Sequence, residues 1–311
     1  MRRLVPPITS GDLAIMDHPK IIIHKFPPET TFSEFGYPKV NTCIYCGKSP
    51  HYLTKEHIIG NAIGGTVTLA KSSCVPCREI TREIERACFR GMMQYFRLKS
   101  GFHSSHPKKG KVKIPARIGE DPPVILELAR HELPGYIGLF KTPPPTMFFG
   151  AWPRPDSVSL WQFWSDMKWP KNTVFSSGQL HCETYYRALA KVAHSYAVAE
   201  LGLGNFEPYL PPVIGNICCP NTGDPIRDPF RYIGCIGQIA DENYPSEECL
   251  HRLDFECWET DKGLFMVLRM RLLAYIGAPE YHAVVGSVSE IPKAAMTRAF
   301  SSKMLSTQSR K

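Results

Sequence analysis

Two Cys-x-x-Cys pairs constrain the fold of this chain more than any other feature. Cys43-Ile44-Tyr45-Cys46 and Cys74-Val75-Pro76-Cys77 are separated by 27 residues. Each pair has the knuckle spacing that presents two thiolates to one ion, and four thiolates make a closed tetrahedral zinc site. Gly47 stands where the chain must turn after Cys46. Two readings compete with structural zinc. One is four cysteines buried in a small core; the other is a redox pair, disfavoured because no βαβ pattern surrounds either motif. The 11 cysteines, an odd total, sit in 311 residues of which 43% are hydrophobic. That is too long and too core-rich a chain for a disulfide-stapled miniprotein. Residues 1–24 hold no apolar run of secretory length, and no stretch approaches the roughly 18 apolar residues that cross a bilayer. The expectation is a reduced, cytoplasmic protein without membrane contact.

Charge adds a second constraint. The chain has 37 Lys+Arg against 29 Asp+Glu, a net +8. The excess is regional: Arg90, Arg97, Lys99, Lys108, Lys109, Lys111, Lys113 and Arg117 fall in one stretch without an acid. Five more cations (Lys293, Arg298, Lys303, Arg310 and Lys311) follow Glu290, so the rest of the chain is acidic on balance. Regional basicity of this kind suits a polyanionic partner.

The sequence predicts an extended arm over 1–37, rich in Pro and Thr, and a cysteine-bearing unit over 38–100. A basic connector follows over 101–117, punctuated by Gly101, Pro107, Gly110 and Pro115, which read as a loop or flexible ribbon. A larger α+β region takes up 118–290, and 291–311 is a basic, flexible tail. Val124–Leu128 and Thr146–Phe149 read as short strands. Between Cys182 and Glu200, Tyr185, Leu189, Val192, Tyr196 and Ala199 recur at helical spacing, and Gly202 and Gly204 follow. On that helix Arg187 and Lys191 read as an ordinary exposed face. Residues 264–268 and 282–285 are β-rich and suit an antiparallel sheet. The remaining cysteines lack knuckle spacing and read as buried or free thiols.

Between the knuckles lies Leu53-Thr54-Lys55-Glu56-His57-Ile58-Ile59-Gly60-Asn61-Ala62-Ile63-Gly64-Gly65. A carboxylate and an imidazole at the end of a short strand can address a divalent metal and a water. This is the pairing that hydrolysis of a phosphodiester needs: imidazole takes a proton near neutral pH, while a metal stabilises the scissile phosphate and the leaving oxygen. Taken alone the dipeptide carries no information; its place between two knuckles gives it weight.

The run Cys43-x-x-Cys46-Gly47, Leu53-Thr54-x-Glu56-His57-Ile58-Ile59, Gly64-Gly65, Cys74-x-x-Cys77 and a helix holding Ile84-Glu85 resembles the zinc-containing branch of the HNH endonuclease family. The likeness covers about a seventh of the chain, Cys43 to Glu85, and the remainder is similar to bacterial HNH proteins of longer architecture. The resemblance implies an α+β protein in which a small, zinc-stapled ββα-metal domain is followed by a larger α+β domain with an antiparallel sheet and at least one long helix. It implies Cys43, Cys46, Cys74 and Cys77 on structural zinc, His57 as general base, and Glu56 as a ligand of a catalytic Mg²⁺ or Mn²⁺ ion. DNA is the implied partner, with RNA open. Two positions depart from the family pattern. Arg78 stands where the family has Asn after the last knuckle cysteine, and the central Asn has no clear counterpart near Thr66 and Thr68. Glu79, Glu83 and Glu85 are then the helix-side candidates for the ion, against a solvated face paired with Arg82 and Arg86. Arg90, Arg97, Lys99, Lys108, Lys109, Lys111 and Lys113 are the candidate phosphate contacts, expected to position nucleic acid rather than read bases. The rival function is a zinc-knuckle nucleic-acid-binding protein without catalysis, motivated by Arg78.

Overall fold

The computed structural model describes residues 22–25, 36–102, 110–119, 121–140, 142–150, 160–164, 173–175, 181–215, 227–235, 249–291 and 300–303. Two short strands come first, β1 (Ile22–Lys25) and β2 (Gly36–Tyr37), both inside the expected N-terminal arm. The cysteine-bearing unit then folds as β3 (Thr54–His57), β4 (Thr68–Ser73) and α1 (Val75–Glu85), which runs on through a π turn over Arg86–Met92 into α2 (Gln94–Lys99). β4 pairs antiparallel with β3 and parallel with β2. Helix α1 starts where it does because Cys74 is extended, and Pro76, lacking an N–H, sits in the first turn where none is needed.

The basic stretch expected to be a loop is in part a strand. β5 (Val112–Ile118) pairs with β6 (Val124–Leu128) on one side and with β9 (Thr173–Phe175) on the other. The reason is a period of two: Ile114 and Ala116 are buried while Lys111, Lys113, Pro115 and Arg117 face out. Between them in sequence, β7 (Gly135–Leu139) and β8 (Leu160–Trp164) form a separate antiparallel pair. Thr146–Phe149, expected as a strand, is instead the short helix α3. Three prolines precede it, and Pro145 at the N-cap and Gly150 at the C-cap bound a single turn.

The long helix α4 (Cys182–Leu201) ends at Gly202 as its sequence requires. Its surroundings differ from expectation: every residue from Tyr185 to Val198 is buried, Arg187 and Lys191 included. The exposed-face reading of these two cations is therefore corrected. Ala188, Ala190, Ala193 and Ala197 let neighbours approach on all sides, so α4 is a central helix rather than an amphipathic one. After β10 (Glu207–Pro208), α5 (Pro211–Ile214), α6 (Pro229–Tyr232) and β11 (Ile233–Gly234) come β12 (Cys249–Thr260), β13 (Gly263–Leu272) and β14 (Tyr281–Val288), with β15 (Phe300–Lys303) last. These three long strands form an antiparallel sheet that β1 and β15 extend through β12. Tyr196 of α4 stacks on Phe255 of β12, with centroids 5.2 Å apart.

One apolar core links the two halves of the chain. Ile44, Ile58, Ile63, Leu69 and Phe89 of the cysteine-bearing unit share it with Leu189, Val192, Leu253 and Leu268. Full burial of side chains this size stabilises by about 1.5–3 kcal/mol each, so the expected boundary at residue 100 does not mark a break in the packing.

Candidate active site and zinc centre

The four knuckle cysteines converge as their spacing requires. Their sulfurs all lie within 4.8 Å of one another, and Cys46 Sγ stands 3.7 Å from Cys74 Sγ. Zinc–sulfur bonds near 2.3 Å in a tetrahedron put sulfurs roughly 3.8 Å apart, so the donor set suits zinc. The first knuckle is closed by Gly47, which takes a φ of 69° and donates its N–H to Cys43 O at 2.9 Å. The second is the first turn of α1, where the Arg78 N–H reaches Cys74 O at 2.9 Å. The cluster thus ties the loop before β3 to the start of α1.

Strand alternation separates the two residues of the Glu56-His57 pair. Glu56 lies opposite Leu69 and points inward, whereas His57 lies opposite Thr68 and points outward. The His57 side opens into a polar cavity of about 350 Å³, lined by Lys55, His57, Asn61, Thr66 and Thr68 with Gly36 and Gly65. Asn61 reaches this cavity from a 3-10 turn over Asn61–Ile63 that begins straight after Gly60. Gly65 is required here, because a Cβ would stand 2.0 Å from Ile59 O. Partial burial, followed by the charges of Lys191 and Lys55, holds the His57 pKa below the ordinary histidine value. This shift favours the neutral imidazole, the form that can take a proton.

The Glu56 side is closed. Its carboxylate is buried and bound to the ammonium of Lys191 from α4 at 2.8 Å. Glu85, at the end of α1, holds the same nitrogen at 2.8 Å. Lys191 also donates to the carbonyl of His57 and, at 3.3 Å, to that of Ile58. Burial works against the charged amine, but the carboxylates of Glu56 and Glu85 outweigh it and raise the Lys191 pKa above the ordinary lysine value. Two more buried side chains of the C-terminal half reach backbone carbonyls of this unit. His194 Nε2–H donates to Ile44 O at 2.7 Å. His251 Nε2–H donates to Ile63 O at 2.9 Å, its Nδ1 accepting the Leu273 N–H at 3.1 Å.

The helix-side acids stand apart from this arrangement. Glu79 pairs with Arg78 and Arg82, each at 2.8 Å, and Glu83 pairs with Arg86; hydrogen bonds from Arg78, above all, hold the Glu79 carboxyl low. Both belong to the outer face of α1, away from Lys191. Among the expected phosphate contacts, Arg90, Lys111 and Lys113 are exposed, with Lys113 3.2 Å from Glu127. Lys99 donates to His131 O. Arg97 is corrected: it is buried and its Nε donates to Ala62 O at 2.5 Å, which makes it a structural side chain. Lys108 and Lys109 lie outside the described residues.

Reading the sequence missed Lys191 and Asn61. Asn61 stands four residues after His57 with no paired motif to single it out, and the 3-10 turn is what brings it to the cavity. Lys191 had no local signal, since its partners lie more than 100 residues away in sequence.

Among the described residues no helix is long and apolar enough to cross a membrane. No curated protein and no solved structure matches the chain. Residues 43–90, which carry the four cysteines, Glu56, His57, Asn61 and Glu85, match the family model described as HNH endonuclease, and this stretch is an HNH domain.

Proposed function

We propose that the protein hydrolyses phosphodiester bonds of DNA, with His57 as general base. The observation that carries this reading is the His57 imidazole opening into a polar cavity beside Lys55 and Asn61, with partial burial holding its pKa below the ordinary histidine value. A phosphate entering the cavity meets the Lys55 ammonium, and the Asn61 amide and the hydroxyls of Thr66 and Thr68 are hydrogen-bond partners for its oxygens. His57 takes the proton of the attacking water, a contribution of about 10²–10⁴-fold. The exposed cations Arg90, Lys111 and Lys113 hold flanking phosphates without reading bases.

A Mg²⁺ or Mn²⁺ ion on Glu56, implied by the resemblance, does not suit the arrangement as it stands. The carboxylate is committed to Lys191. The side chains left around the cavity bear neutral or cationic groups, a poor set for a hard divalent ion that favours carboxylate oxygens. Proton transfer at His57 therefore does not pass through an ion held by Glu56. This same observation favours a second reading, a zinc-stapled nucleic-acid-binding protein without hydrolysis.

Nicking of plasmid DNA, assayed with Mg²⁺, with Mn²⁺ and after addition of EDTA, separates the two. Cleavage that falls about 10²-fold or more in His57→Ala, with DNA binding retained, is expected. Because His57 titrates below the ordinary value, cleavage should persist as pH falls through about 6.5 before failing. Tight binding with no cleavage in any of these conditions establishes the second reading instead.

A further inference from the structure

Two carboxylates and two backbone carbonyls converging on one buried point make an oxygen cage of the sort that hard cations occupy. Here the occupant is a side chain. Glu56 and Glu85 each stand 2.8 Å from Lys191 Nζ, and the carbonyls of His57 and Ile58 complete the shell. Gly60 leaves room for it, since a Cβ there would approach the Glu85 carboxyl carbon to 3.1 Å. The amine has three N–H donors for these four acceptors. Lys191 itself is fully buried, so its charge was brought in from α4 and has no route to solvent.

We propose that Lys191 is the resident cation of the HNH domain: its ammonium fills the Glu56–Glu85 cage in place of a divalent ion and fixes the end of β3, and with it His57, to α4. Lys191 is thus a positioning residue that touches no substrate. The cage holds two formal negative charges against one positive, so removing the lysine leaves a site with the charge and donors for a single divalent cation. The domain is then built around two cations of different origin, zinc in the knuckles and a lysine from the C-terminal half. None of this depends on cleavage, and its test reads metal binding, so it can fail while the nuclease reading stands, or the reverse.

The test compares full-length wild type, Lys191→Ala and Lys191→Ala/Glu85→Gln, each with zinc in place, by thermal unfolding across a Mn²⁺ series and by Mn²⁺ electron paramagnetic resonance. Lys191→Ala should be destabilised in EDTA, and its midpoint should climb with the logarithm of Mn²⁺ concentration. Adding Glu85→Gln should abolish the climb, and wild type should not respond. A Lys191→Ala chain that gains nothing from Mn²⁺, whether folded or unfolded at the outset, overturns the proposal, because a purely structural lysine would behave in this way. The wild-type background needs no destabilised variant: Glu85→Gln alone should leave Mn²⁺ binding unchanged. A wild-type Mn²⁺ site that disappears on Glu85→Gln would equally overturn it.

Discussion

The four-cysteine cluster and the Lys191 cluster lie in one domain and do the same mechanical task by opposite means. The cysteines come from two short motifs in one stretch of sequence and tie the loop before β3 to the start of α1. Lys191 comes from α4 and ties the end of β3 to the end of α1. The first cluster is a donor set that a zinc ion from outside the chain would close, whereas the second carries its own cation. The comparison teaches that one end of a small domain can offer a local donor set suited to a metal while the other is joined over long range by a side chain. The second kind makes the domain dependent on the rest of the chain.

The largest effect should come from breaking the metal-borne end. Structural zinc sites supply about 10–16 kcal/mol of apparent binding free energy, so chelation or Cys77→Ser should unfold residues 43–90. Loss of near-UV circular dichroism and tryptic cutting at Lys55 or Lys71 report it, and a domain that keeps its protection without metal contradicts the zinc staple. Breaking the other end should cost less. Lys191→Met leaves the buried Glu56 and the partly buried Glu85 carboxylates without a cation, a loss of about 3 kcal/mol in urea unfolding. Glu85→Gln in that background should return part of it, because one of the uncompensated charges is then gone.

A smaller effect sharpens the dependence on the C-terminal half. Burial pulls His194 and His251 down to about 4, while unfolded histidine titrates at about 6.5. Between these values the unfolded chain binds more protons, so stability falls as pH falls, and none is lost above the unfolded value. At a pH near 5 the loss should be about 2 kcal/mol for each histidine. Unfolding free energies that stay flat from about pH 7 to about pH 5 contradict neutral, buried imidazoles at these contacts. The smallest effect is on binding. Lys111→Gln and Lys113→Gln should each lower the slope of log affinity for duplex DNA against log salt by about 0.9, while Arg97→Gln should act on stability through the bond to Ala62 O instead.

What the sequence made legible was local. The knuckle spacing located the cysteine cluster, the Glu56-His57 dipeptide fell at a strand end, and the apolar recurrence from Tyr185 to Ala199 marked α4 to within a few residues. The burial of α4 was hidden because counting one apolar stripe misses a helix whose other faces are lined by alanine. Arg187 and Lys191 then read as solvated, although Arg187 in fact donates to Val213 O and pairs with Glu183 at 2.6 Å. The β5 strand was masked by its own cations: glycines and prolines around it signalled a loop, while Ile114 and Ala116 carried the alternation that formed it. The face assignment of Glu56 was legible in principle, since adjacent strand residues point oppositely, but the ion-ligand role drawn from the resemblance took no account of what would cover that face.

The metal content of purified wild-type protein after equilibration with Mn²⁺ and gel filtration bears most directly on the two-cation arrangement. One zinc per chain, with no manganese that depends on Glu56, is the expected result. A second metal equivalent that disappears in Glu56→Gln would contradict it, because the Glu56–Glu85 cage would then belong to an ion and not to Lys191.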